Sequence, residues 1–258
     1  MKKNGNSPIF IIGSPRSGTT LLRLLLDSHT NISCGSETHF LIGLRKILED
    51  PHYAGYIEQF GFKRQYYIEE ISSFFDNFQT KYACERGKVR WAEKTPQYTK
   101  HLDFINELFP RCQFIHIIRD GHDVVASFKK RWGYVSAIKG IYVWGRYVNT
   151  ARKFGSTVSP DRYVEIRYES LVTKTEETMK SLLTYLKEPW EKEILEYHKF
   201  PHDGKGWDVR FKKDPENYQS KELPIYRSSV GSGIKLDPLL RTLMSYSNNS
   251  LLKDLGYT

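Results

Sequence analysis

Residues 9–26 read Ile9-Phe10-Ile11-Ile12-Gly13-Ser14-Pro15-Arg16-Ser17-Gly18-Thr19-Thr20-Leu21-Leu22-Arg23-Leu24-Leu25-Leu26. Four consecutive apolar residues that stop at a glycine predict a strand buried on both faces, as in a parallel sheet. The leucines after Thr20 predict a helix with little exposed face. Strand, glycine loop and helix in that order make the G-x4-G frame of a phosphate loop, where glycines let successive backbone N–H groups converge on an anion at the helix N-terminus. Nucleoside-triphosphate loops place a lysine at the position of Thr19, to reach the β- and γ-phosphates, and a magnesium-holding hydroxyl after it. Without that lysine the loop suits one terminal phosphate-like group, and Arg16 adds a fork that can pair with an oxyanion through two hydrogen bonds.

Working outward, the strand signal returns in Cys112-Gln113-Phe114-Ile115-His116-Ile117-Ile118 and in the alternating run Tyr163 to Tyr168, with Val89 to Glu93 as a weaker candidate. Helical patterns follow each, and Gln97 to Phe109 reads as one helix ended by Pro110. The β-α-β-α alternation implies an α/β fold: a three-layer, P-loop-containing nucleotide-binding fold with a central parallel sheet flanked by helices. No repeat or linker divides the chain, so residues 1–258 are expected to form a single domain. Aromatic-rich helical insertions occupy about 41–82 and 134–155, and their aromatics are expected mainly to build core or groove wall. An irregular tail over about 198–238 is too long for an ordinary connector and reads as a functional flap or ordered tail. Helical spacing returns from Pro238 to Gly256.

A second cluster follows the central strand. Arg119 ends it, and Ser127 and Arg131 lie one turn apart on the helix that Asp120 would cap. Ligands bind at the carboxyl ends of parallel strands. Alone, an Arg-Asp pair there is usually a surface turn; next to the first loop, Arg119, Ser127 and Arg131 make a candidate second phosphate site.

Composition narrows the partners. Thirty-nine Lys and Arg against 30 Asp and Glu give +9, a field that favours anionic ligands. These charges are spread along the chain and not gathered into one aromatic-interleaved patch, which disfavours a nucleic-acid or anionic-surface binding module. Three cysteines without a CxxC pair exclude a disulfide framework and fit a reducing compartment, so the cytoplasm is the expected location. No run is long enough for a signal-peptide core or a transmembrane span. The remaining histidines, among them His29, His101 and His116, have no metal-ligand spacing, and no metal site is expected.

Taken together, these residues resemble the sulfotransferase family that uses 3′-phosphoadenosine 5′-phosphosulfate (PAPS). Pro15 to Thr20 resembles the family's 5′-phosphosulfate loop, and Ile118-Arg119-Asp120-Gly121 through Ser127 its 3′-phosphate motif. Similarity continues in Cys34-Gly35-Ser36-Glu37-Thr38, Glu93-Lys94-Thr95-Pro96, Arg167-Tyr168-Glu169-Ser170-Leu171 and Arg227-Ser228-Ser229. Order and spacing are most like the branch with the tyrosylprotein and Golgi carbohydrate enzymes and their bacterial relatives. The likeness is good over about residues 8–175 and thin in the tail.

The resemblance implies roles. Pro15, Arg16, Ser17, Gly18, Thr19 and Thr20 would bind the 5′-phosphosulfate, and Arg119, Ser127 and Arg131 the 3′-phosphate; Tyr168 would sit by the adenine, and Ser228 would return to the phosphosulfate. Lys94 would touch the oxygen between phosphate and sulfate, where charge grows as the bond breaks. Glu37 matches the general base of the tyrosylprotein branch. His39 departs from that branch, which carries arginine there, and a histidine can also take the proton at neutral pH. The base role is therefore open between them, and a carboxylate at the start of an apolar helical run is also favoured by the helix dipole alone. Arg16 would add positive charge to an in-line transfer that needs no covalent enzyme intermediate. The donor would be PAPS, leaving adenosine 3′,5′-bisphosphate (PAP), without metal. The acceptor would be a small-molecule or glycan hydroxyl, with a peptide tyrosine in the same chemical range, chosen by the two aromatic-rich segments. The competing reading is a P-loop nucleotide kinase or phosphotransferase, against which Thr19 argues.

Overall fold

The computed structural model describes residues 7–202, 225 and 227–257. Five parallel strands form one sheet: β1 (Ile9–Ile12), β2 (Ile32–Cys34), β3 (Arg90–Lys94), β4 (Gln113–Ile118) and β5 (Tyr163–Arg167), in the order β2-β3-β1-β4-β5. β1 is central, pairing Ile9 with Ala92 of β3 and Ile11 with Ile115 of β4. Its alternation sorts the two faces. Ile9 and Ile11 join a core built from the leucines of α1 (Thr19–Asp27) and of α9 (Thr175–Leu186). Phe10 and Ile12 join an aromatic core in which Phe10 meets Trp91, Phe109 and Phe114 at centroid distances of 5.6 to 5.9 Å. With both faces covered, a continuous apolar strand is what the layering requires.

The 41–82 segment forms three helices, α2 (Phe40–Glu49), α3 (Pro51–Gln59) and α4 (Arg64–Glu85). Their aromatics divide: Phe75 is buried, whereas Phe40, Phe60, Phe74 and Phe78 stand exposed. Between β4 and β5 run α6 (Gly121–Trp132) and α7 (Tyr134–Gly155), and α7 buries Ile141, Trp144, Tyr147 and Val148. One face of α7 is thus core, whereas Tyr134, Val135 and Tyr142 stand exposed. α8 (Tyr168–Thr173) follows β5, and α10 (Pro238–Ser247) and α11 (Asn249–Asp254) pack on α6 and α7. Among the described residues no helix is long and apolar enough to cross a membrane.

Two local expectations are corrected. The helix expected over Gln97 to Phe109 is a 3-10 turn at Pro96–Lys100 and α5 (Leu102–Leu108), because His101 takes φ −131° and breaks the spiral. β2 was not expected, since three residues carry too little periodicity to register. Of the tail, residues 203–224 and 226 lie outside the described residues; residues 227–235 form turns against α6.

Candidate active site

Every strand of a parallel sheet ends at the same edge, so the loops after β1, β2, β3, β4 and β5 converge there. The loop after β1 is shaped by close approaches. Gly13 has φ +149°, and a Cβ on it would lie 2.6 Å from the Ile117 carbonyl oxygen; Gly18 has φ +94°, and its Cβ would lie 2.3 Å from the Tyr168 ring. Arg16 holds a left-handed φ of 72° without being glycine, a strain that concentrates at functional sites. The Ser17 amide donates to the Ser14 carbonyl at 3.2 Å, with Pro15 in the turn, and Gly13 N donates to Thr99 Oγ1 at 3.0 Å. Buried Ser17 Oγ has no hydrogen-bond partner among the described residues. Thr19 and Thr20 open α1, whose first amides have no side-chain cap.

A second cradle meets the first through Arg16, whose Nε donates to Ser127 Oγ of α6 at 2.9 Å. Arg119, 5% exposed, donates to the Arg16 carbonyl at 3.1 Å and to the Ser229 carbonyl at 2.5 Å, and its guanidinium lies 4.4 Å from the Tyr168 ring centre. Its Nε is buried without a hydrogen-bond partner among the described residues. Trp144 Nε1 donates to the Arg119 carbonyl at 2.9 Å, fixing the strand end. Buried Asp123, 3.6 Å from Arg119, accepts from Gly231 N, Ser232 Oγ and Gly233 N at 3.0, 3.2 and 2.7 Å, which straps the tail over this cradle. Arg131 is half-buried one turn beyond Ser127. Ser228 is exposed, and its neighbour Ser229 makes the Arg119 contact through the main chain.

The third group of residues comes from β3 and the loop after β2. Lys94, 4% exposed, pairs with Glu37 Oε1, while His39 Nε2 lies 3.4 Å from Glu37 Oε2. One carboxylate therefore stands between two cationic or proton-bearing groups. His39 has φ 59°, a left-handed β-carbon residue at the N-terminus of α2. Burial holds the Lys94 ammonium below the usual lysine pKa, against the opposing pull of Glu37, and Arg23 adds to the lowering. Arg23, buried in the leucine helix α1, donates to the Cys34 and Gly35 carbonyls at 2.9 and 3.0 Å and so anchors the turn that carries Glu37.

The structure thus gathers Glu37, His39 and Lys94 in one cluster, and Arg16, Ser127, Arg119 and Tyr168 in another beside the glycine loop. Sequence reading missed Arg23, Glu93, Thr99 and Asp123 as parts of the site. Arg23 had a signal, a lone charge in an apolar helix; Asp123 had none, since its partners lie about 110 residues away. Among the described residues no group of three or more His, Cys, Asp or Glu could hold a metal ion.

Comparison with known proteins shows the family. The profile of the sulfotransferase family matches residues 8–192. A protein-tyrosine sulfotransferase of Drosophila melanogaster is 27% identical over 202 residues, covering 74% of this chain; the chain spans 40% of that relative's length. Among solved structures, the sulfotransferase domain from the Synechococcus PCC 7002 olefin synthase superposes with a TM-score of 0.67 at 20% identity, covering 96% of this chain and 97% of that one. Mouse sulfotransferase SULT7A1, solved with PAP, gives 0.50 at 12% identity, covering 96% and 84%. The glycine loop without its lysine, the arginine at the end of β4 and the lysine at the end of β3 lie within the matched span, and the chain belongs to the sulfotransferase family.

Proposed function

We propose that this chain moves a sulfuryl group from PAPS to an acceptor hydroxyl. The observation that carries the proposal is the Lys94–Glu37–His39 cluster at the sheet edge, beside a lysine-free glycine loop and a second arginine cradle. What supports the fit to the donor is that buried Ser17 Oγ and Arg119 Nε, one at each cradle, have no hydrogen-bond partner among the described residues. Ser17, Gly18, Thr19 and Thr20 would hold the 5′ end, and Arg119, Ser127 and Arg131 the 3′-phosphate, with the Tyr168 ring by the base. When bound, the donor supplies an activated sulfuryl group. The chain's part is to orient the acceptor oxygen, to take its proton at Glu37 or His39, and to hold positive charge at Lys94 and Arg16 where the leaving oxygen gains charge.

For the acceptor, a phenol such as a peptide tyrosine is our first candidate. Two observations support it: the name of the Drosophila relative, and the exposed rings next to the base, where Phe40 follows His39 and packs on Phe78 at 5.3 Å. A small-molecule or glycan hydroxyl needs the same donor end and is the second candidate.

Calorimetric titration without magnesium tests the donor site. PAP is expected to bind at least tenfold more tightly than AMP; best binding by ATP with magnesium would replace this reading with a kinase. Arg119→Ala is expected to weaken PAP by roughly 10- to 150-fold, the equivalent of about 1.5–3 kcal/mol for a charge-assisted contact, with a smaller loss for AMP. Equal losses for both nucleotides would remove Arg119 from the 3′-phosphate.

A further inference from the structure

Glu93 is the residue before Lys94 on β3, and its side chain is 1% exposed. Alternation along the strand sends the two side chains to opposite faces, yet both reach the loop after β2. Lys94 takes Glu37, and Glu93 takes the next residue, accepting from Thr38 N and Thr38 Oγ1 at 3.3 Å each. Thr95 Oγ1 donates to the same Glu93 oxygen at 2.6 Å, and Gln79 Nε2 of α4 donates to the other at 2.8 Å. The Tyr98 hydroxyl closes the network, 2.9 Å from Thr38 Oγ1 and accepting from Leu41 N at 3.2 Å in the first turn of α2.

Thr38 sits between Glu37 and His39, and His39 is the residue held at φ 59°. A left-handed conformation at a non-glycine residue persists only where its surroundings hold it. Four side chains from three elements, Glu93, Thr95, Gln79 and Tyr98, surround Thr38 or its acceptor, and the pair that can remove a proton lies on either side of it.

We infer that Glu93 is a positioning residue, whose buried carboxylate fixes the Thr38 peptide and thereby aims Glu37 and His39 at the acceptor oxygen. The inference rests on the sulfuryl-transfer reading and adds to it a residue that touches neither donor nor acceptor. An ionised carboxylate accepts at every lone pair, whereas a protonated one must donate at one oxygen and gives up an acceptor position. Burial pushes the Glu93 carboxyl up to about 7, while its hydrogen bonds with Thr95, Thr38 and Gln79 and the Lys94 charge oppose the rise. The charged or titratable neighbours are Lys94 on its own strand, Cys34 of β2 and Tyr98; α4 contributes the neutral Gln79, and its Asp76 is engaged by the Trp91 indole at 2.8 Å.

The sign of the stability effect follows from linkage. A carboxyl whose folded pKa lies above its unfolded value binds the proton more tightly when folded, so stability is present below about 4.5 and is lost as pH rises towards about 7. The wild type therefore holds at pH 8 a buried charge that disfavours the fold.

The test compares Glu93→Gln and Thr38→Val, with Thr38→Ser as the conservative control, against wild type at pH 8. Expected for Glu93→Gln is a fall in kcat of about tenfold or more, PAP affinity within twofold of wild type, and a melting temperature equal to or above it. Thr38→Val should reproduce the kcat loss from the other side of the contact, and Thr38→Ser should restore most of it. A readout independent of turnover is histidine ring NMR. His39 resonances should shift in Glu93→Gln while those of buried His29 stay in place. Unchanged kcat and unchanged His39 resonances would overturn the inference, as would a kcat loss accompanied by an equal loss of PAP affinity and a lower melting temperature. If wild type bound no PAP but His39 still shifted, the donor reading would fail and the positioning contact would stand.

Discussion

Lys94→Ala is expected to lower turnover by about 10²- to 10³-fold, the range for removing one preorganised donor from a developing oxyanion. A lysine 4% exposed at the end of a parallel strand is faced by the Glu37 carboxylate, which opposes the lowering of its pKa by burial. In the proposed transfer this ammonium would supply positive charge for the oxygen that leaves. The loss should fall on kcat, with PAP affinity changed far less. Initial rates at saturating donor, together with calorimetry, separate the two, and a rate within threefold of wild type would take Lys94 out of the role. The same geometry sets a pH limit. In the proposed role Lys94 acts as a cation, and because burial lowers its pKa, activity should decline on the alkaline side before the usual lysine value is reached. Lys94→Arg, always protonated, should lose that limb even if its overall rate is lower.

Glu37→Gln is expected to cost a factor of about 10² or more in turnover, because an amide of the same shape cannot accept the acceptor's proton. PAP binding should stay near normal, since the phosphate cradles are built from other loops. His39 gives this experiment its second arm. Its Nε2 lies 3.4 Å from Glu37, so the two groups share one site and either can present a lone pair. If Glu37→Gln keeps the wild-type rate while His39→Ala loses it, the histidine is the base and the carboxylate orients it. Loss in Glu37→Gln with retention in His39→Ala gives the opposite assignment.

What the chain reveals before folding depends on how local each feature is. The Ile9 to Leu26 run contains strand, loop and helix within itself, so β1, its loop and α1 stand where periodicity places them. β4 and β5 announce themselves in the same way, each to within a residue. β2 does not, because Ile32, Ser33 and Cys34 are strand only by pairing with Arg90, Trp91 and Ala92 of β3. The break at His101 is equally silent, since the apolar spacing on either side suits one helix. In the site, the glycine loop and the Arg119-to-Ser127 stretch are each local in sequence, but their meeting through Arg16 and Ser127 spans 111 residues. Glu93 was visible as part of Glu93-Lys94-Thr95-Pro96, although its grip on Thr38 is a tertiary contact and no spacing rule reaches it.

The strap on Asp123 ties the order of synthesis to the order of assembly. Chains grow from the amino end, and every described strand of the sheet is complete by Arg167. Asp123 is buried, yet the amides that donate to it belong to Gly231 and Gly233, which leave the ribosome about 110 residues later. Until then a carboxylate at the sheet edge stays solvated and the Arg119 cradle stays open on that side. The emerging chain therefore holds the described sheet before it holds the strap that covers the Arg119 cradle.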